Sequence, residues 1–132
     1  MYRVLVVDDE HLILNLLREA LTRYGYMVKT ASTVREAVCL FDEESFDLVI
    51  TDMCMPDGDG KCLVRHIRNS GKGSVAVMGI SGTPWVLKQA QCEKVLAKPF
   101  TLDSLRSCVD ELLAGHASVN GTTVDQKAAF SA

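Results

Sequence analysis

Short, mostly continuous runs of aliphatic and β-branched residues alternate along this chain with longer stretches of helical periodicity, and few folds accommodate that alternation. The runs are "RVLVV" (3–7), "MVKTA" (27–31), "DLVIT" (47–51), "SVAVMGI" (74–80) and "KVLA" (94–97). An unbroken apolar run, unlike an apolar-polar alternation, reads as a strand buried on both faces. The stretches between the runs leave room for crossover helices. This predicts right-handed βαβ units and a single α/β domain: a five-stranded parallel sheet, doubly wound, with helices on both faces.

The helical segments carry their own start and stop signals. Leu12, Ile13, Leu16, Leu17, Ala20, Leu21 and Tyr24 fall on one helical face, and Gly25 ends it as a left-handed cap. "TVRE" (33–36) has capping-box spacing and opens a helix through Val34, Ala37, Val38 and Phe41. Asp59 is placed to cap a helix bearing Leu63, Val64 and Ile67. "PWVLKQAQC" allows only about two turns, so the fourth helix is expected to be short. Thr101 caps a last helix with Leu102, Leu105, Val109 and Leu112 inward. From Gly115 onward the sequence is small and polar without a period, which predicts a domain over 1–114 and a flexible tail or linker over 115–132.

Composition narrows the function classes. The 132 residues carry a net charge of −3, which argues against a nucleic-acid-binding face. Cys39, Cys54, Cys62, Cys92 and Cys108 are an odd number with no CxxC pair, so neither a disulfide frame nor a zinc site is indicated. Most lie within apolar helical patterns, where free cysteine is usually a small core residue in a reducing compartment. The opening "MYRVLVVDDE" is too short in apolar residues for a signal peptide or a membrane span. A cytoplasmic protein is expected.

Parallel α/β sheets bind ligands beyond the carboxyl ends of their strands. Asp8, Asp9 and Glu10 follow the first strand, Asp52 the third, Ser81 the fourth, and Lys98 and Pro99 the fifth. Each alone has a plainer reading as a cap, a turn residue or a solvated charge. Together they project from one edge. Two carboxylates about 4 Å apart repel by roughly 4 kcal/mol at an effective dielectric near 20, so such a cluster must share protons, pair with lysine or hold a cation. Oxygen ligands with room for water suit Mg2+, and a lysine and a hydroxyl facing the same ion could bind phosphoryl oxygens. Neither GxxxxGK[ST] nor GxGxxG is present, so the phosphoryl group has to come from a small donor or another protein.

"VLVVDDE", "DLVITDMCMPDGDG", "ISG" and "LAKPF" closely resemble the bacterial response-regulator receiver domain of two-component signalling, over residues 3 to about 113. The resemblance implies the CheY-like (flavodoxin-like) strand order 2-1-3-4-5 and a phosphoprotein that accepts phosphate as 4-aspartylphosphate. The donor would be a histidine kinase or phosphotransfer protein. It implies Asp52 as phospho-acceptor, Asp9 as direct Mg2+ ligand, Asp8 as an acidic partner acting largely through water, and the backbone carbonyl of Cys54 as a third protein ligand. Ser81 matches the hydroxyl that turns toward the phosphoryl group, and Lys98 the lysine that pairs with it. Pro99 matches the proline of a Lys-Pro bond that is often cis. Such a domain catalyses only its own phosphorylation and dephosphorylation, so it is a signalling switch rather than an enzyme, acting on a downstream effector protein or domain. Direct nucleic-acid or membrane contact is not expected.

The sequence departs from the family at two points. Val95 stands where the family usually has an aromatic switch residue, and the stretch from Ser81 to Lys98 is several residues short. These changes leave room for an alternative, a receiver-like interaction module that works without phosphorylation. A Mg2+-dependent phosphohydrolase with an aspartyl-phosphate intermediate fits less well, because Cys54 stands where that class has an acid. Met53 and Met55 are expected to pack under the site, Trp85 to pack on the loop after Ser81, and His11 and His66 to be solvated.

Overall fold

A computed structural model describes residues 1–55, 60–82 and 92–118, with side chains up to residue 115. Strands β1 (Arg3–Val7), β2 (Met27–Ala31), β3 (Leu48–Asp52), β4 (Ala76–Ser81) and β5 (Lys94–Ala97) are joined by helices α1 (His11–Arg23), α2 (Val34–Glu43) and α3 (Gly60–Asn69), and α4 (Leu102–Ser118) follows β5. All neighbouring pairs are parallel and the strand order is β2-β1-β3-β4-β5. The expected short helix between β4 and β5, the Asp59 cap and Trp85 lie outside the described residues.

Alternate strand residues feed two cores. Val4, Val6, Leu48, Ile50, Met78 and Ile80 pack with α1 and α4, whereas Leu5, Val7, Val49 and Val77 pack with α2 and α3. Continuous apolar runs are required because both faces are covered. β3 and β4 each end one residue later than their sequence runs, since Asp52 pairs with Ile80 and Ser81 with Ala97.

The end signals hold locally. Gly25 has φ +95°, the left-handed conformation that favours glycine. Thr33 Oγ1 accepts from Glu36 N at 3.1 Å, while the Glu36 carboxylate reaches back to Ser32 N at 2.8 Å, one residue earlier than a standard capping box. Thr101 Oγ1 accepts from Ser104 N at 3.0 Å.

Three inward assignments need correction. Leu12 and Leu16 are exposed at 86% and 44%, and Leu14 is buried in their place. Leu102 is also exposed, with Leu113 buried at the far end of α4. A helix on one sheet face buries a stripe about 100° wide, and the face drawn from sequence was wider than that. The cysteines differ as well: Cys39, Cys54 and Cys62 are exposed, Cys92 and Cys108 are half-buried, and all are free thiols. Cys39 and Cys62 sit across their helices from the buried Ala37–Phe41 and Leu63–Ile67 faces. His11 is exposed as expected, but His66 is only half-exposed, with Nε2 2.8 Å from Asp42 Oδ1 and its ring edge-on to Phe41. Met53 and Met55 are buried, and Val95 packs partly buried against the α2–α3 core.

Candidate functional site

The register of the sheet gathers the site. Val7 pairs with Thr51, so Asp8, the next residue, emerges beside the end of β3, where Asp52 stands. Ser81 ends β4, and Ala97 opposite it delivers Lys98 just past β5. Backbone bonds continue the ladder beyond the strands: Asp8 N donates to Ala31 O at 3.1 Å, Met53 N to Ile80 O at 3.0 Å, and Lys98 N to Ser81 O at 2.8 Å. The Lys98–Pro99 peptide is cis.

Burial makes the charges expensive. Asp8 is 0% exposed and Asp52 3%. Asp8 Oδ1 accepts from Glu10 N at 2.8 Å, but Oδ2 has no hydrogen-bond partner. Burial pushes the Asp8 carboxyl up to about 6, with the Asp52 charge adding to the rise and the Glu10 backbone bond and Lys98 opposing it. Asp52 is also raised by burial, against the Cys54 backbone bond and Lys98, with the Asp9 charge adding to the rise. Lys98 is raised because its carboxylate neighbours, Asp52 foremost, outweigh the desolvation that would lower it.

Lys98 Nζ lies 3.6 Å from Asp52 Oδ2 and 3.5 Å from Glu10 Oε1. Carboxylate oxygens of Asp8, Glu10 and Asp52 all lie within 4.8 Å of one another. Among the described residues this is the one group of three or more potential metal-ligating side chains. It suits a divalent cation: the donors are all oxygen, they carry excess negative charge, and one member, Asp8, has a buried carboxylate oxygen without a hydrogen-bond partner.

The residues singled out from sequence therefore divide. Asp8, Asp52 and Lys98 come together, and Ser81 stands buried on the same edge at the end of β4. Asp9, half-exposed, is not in the group of three, although its charge acts on Asp52. Cys54 meets Asp52 through its N–H, which donates to Oδ1 at 3.2 Å. Sequence reasoning places Glu10 in the acidic run after β1 and assigns it no role. The signal that could have singled it out was a long acid at a helix N-cap, a position that favours short side chains.

The model of the response regulator receiver domain matches residues 4–110. Over 111 residues the chain is 39% identical to the two-component response regulator ORR26 of Oryza sativa, covering 80% of this chain and 19% of that protein. It is 32% identical over 108 residues to the sensor histidine kinase RcsC of Salmonella typhi, covering 78% of this chain and 11% of that one. The chain thus spans only a small part of the length of these relatives. Among solved structures, TrrA of Thermotoga maritima, in complex with Mg2+ and BeF, is similar with TM-score 0.77 and 32% identity, over 86% of this chain and all (100%) of that one. The chemotaxis protein CheY4 of Vibrio cholerae matches with TM-score 0.80 and 27% identity, over 86% and 99% of the two chains. With the family model covering most of its length and the strand order and acidic edge in agreement, the chain belongs to the response regulator receiver domain family.

Proposed function

We propose that this receiver takes a phosphoryl group onto Asp52 from a histidine kinase or phosphotransfer protein and passes the signal on by a change of shape. The observation that carries the reading is the placement of Asp52. It is an almost fully buried carboxylate at a strand end, with Lys98 Nζ at 3.6 Å and, in the same acidic group, Asp8, whose buried Oδ2 has no hydrogen-bond partner. A module that only bound partners would gain nothing from an unpaired buried carboxylate, which costs on the order of 1–3 kcal/mol.

In the reaction an Asp52 carboxylate oxygen attacks phosphorus and forms a P–O bond. The bond from phosphorus to the donor's nitrogen or oxygen breaks, and its electron pair leaves with the donor. Lys98 is placed to offset the negative charge that gathers on the phosphoryl oxygens, and the Cys54 N–H orients Asp52. Asp8, Asp9, Asp52 and the Cys54 carbonyl would hold Mg2+, which when bound neutralises the crowded carboxylates and phosphoryl oxygens. Ser81 is proposed to turn its hydroxyl toward the phosphoryl group. On this reading the protein is a signalling switch in the cytoplasm rather than an enzyme of turnover. No helix among the described residues is long and apolar enough to cross a membrane.

Acetyl phosphate with Mg2+ is expected to add one phosphoryl group, seen by intact mass. Asp52→Asn abolishes it, because the amide is not a nucleophile. Full incorporation in Asp52→Asn removes Asp52 as acceptor.

A further inference from the structure

Glu10 is the N-cap of α1, yet its side chain makes no capping bond; its carboxylate sits 3.5 Å from Lys98 Nζ instead. Lys98 is thereby shared almost equally between Glu10 and Asp52, at 3.5 and 3.6 Å. The Glu10 side chain is 59% exposed and that of Asp52 5%, so the pair is lopsided: one partner is solvated and movable, the other fixed. We propose that Glu10 is a positioning residue that holds Lys98 in the resting protein and competes with the phosphoryl group for it, so that its charge tunes how tightly the site takes a phosphoryl group. This rests on the proposed phosphorylation of Asp52 and adds to it a residue that acts through Lys98.

Two effects of the Glu10 charge point the same way. An incoming phosphoryl group brings negative charge within reach of a carboxylate that already lies within 4.8 Å of Asp52 oxygen. The same carboxylate must also release Lys98 before the lysine can turn fully to the new oxygens. Because Glu10 is mostly exposed, its influence is screened by water and by salt. Two unit charges about 6 Å apart in a solvent-like dielectric of 40 to 80 change an equilibrium about three- to tenfold. A change of that size adjusts a switch without disabling it.

The test compares wild type with Glu10→Gln, which keeps the size of the side chain and removes its charge. The probes are fluoroberyllate with Mg2+, followed by fluorine NMR, and acetyl phosphate, followed by intact mass. The variant is expected to bind fluoroberyllate about three- to tenfold tighter at low salt, with the advantage shrinking as sodium chloride rises toward 0.5 M. Half-saturating acetyl phosphate should fall by a similar factor while the maximal rate changes less. A merely structural residue would not give a salt-dependent split of this kind. Equal affinities in the two proteins at every salt concentration overturn the proposal. A tenfold or greater loss of Mg2+ affinity in Glu10→Gln also overturns it, because Glu10 would then be a metal ligand and not the partner of Lys98. If wild type itself takes neither probe, the phosphorylation reading falls and this proposal falls with it, an outcome distinct from a normal wild type with an unaltered variant.

Discussion

Burial of Asp8 with one oxygen unpartnered raises its pKa from 3.8 to about 6, and the ion-free protein bears a stability cost for it. Between these two values the folded protein keeps a proton that the unfolded chain has released. Stability therefore falls as pH rises through the window, and the full penalty remains above it. A shift of about two units corresponds to about 2–3 kcal/mol. Asp8→Asn in chelator is accordingly expected to raise Tm by about 10 °C at pH 7.5 and by less than half of that at pH 4.5, measured by thermal unfolding. An equal gain at both pH values would mean that the charge of Asp8 is not the source. Burial also pushes the Cys92 thiol up to about 11, with the neighbouring Glu93 charge adding to the rise. At pH 8 iodoacetamide should therefore label the exposed Cys39, Cys54 and Cys62 well before Cys92, as read by peptide mapping. The composition and spacing of the cysteines give no disulfide frame, and all five are free thiols here. Their exposure was not legible, because a cysteine between two apolar neighbours falls on either side of a helix depending on where the buried stripe is centred.

The elements meet at the site through close backbone approach. A Cβ on Gly60, the first residue of α3, would lie 2.7 Å from the Asp52 carbonyl oxygen and 2.8 Å from Met53 Cα. On Gly79 of β4 it would press on the Met53 side chain, at 3.0 Å, and touch Cys92 Sγ at an ordinary 3.5 Å. Gly60→Ala must therefore push α3 off the end of β3, whereas in Gly79→Ala the flexible end of Met53 can move. We expect Gly60→Ala to cost about 2–3 kcal/mol in urea unfolding and to slow phosphorylation by acetyl phosphate, and Gly79→Ala to cost about 1 kcal/mol. Equal costs would mean that the α3 approach is not tight. None of this could be read from sequence, since a glycine among turn residues and one inside a strand look alike until a neighbour fixes the space around them. The caps at Thr33 and Thr101 and the left-handed Gly25 were legible, because each depends on a few adjacent residues only. The α1 face was legible in period but not in phase: the 3.6-residue repeat admits Leu12 and Leu16, and only the position of the sheet selects Leu14.

At the scale of the whole molecule, polar residues after separate strands were readable as one edge because parallel strands must end together, and this gave Asp8, Asp52, Ser81 and Lys98 a common location. The strand order came from the family resemblance, since apolar runs do not state their neighbours. The Glu10–Lys98 pairing was not readable at all, because it depends on β5 returning beside β4 and carrying its lysine back toward the first strand. The same convergence links metal, proton and fold. If Asp8 and Asp52 hold Mg2+, the ion binds only the ionised site, so below the Asp8 value of about 6 it must first displace a proton. The Mg2+ concentration giving a fixed rise in Tm should therefore be about tenfold higher at pH 5 than at pH 7, by simple competition at one site. The two dependences run in opposite directions: without metal the fold weakens as pH rises toward neutrality, and with saturating Mg2+ that loss is offset because the ion neutralises the carboxylates. Thermal unfolding across a grid of pH and Mg2+ concentration separates them. In Asp8→Asn, where no proton competes at that position, the pH dependence of the Mg2+ requirement should largely flatten. If it persists unchanged in that variant, the competing proton sits elsewhere, with Asp52 the first group to test, and Asp8 loses its place in this linkage.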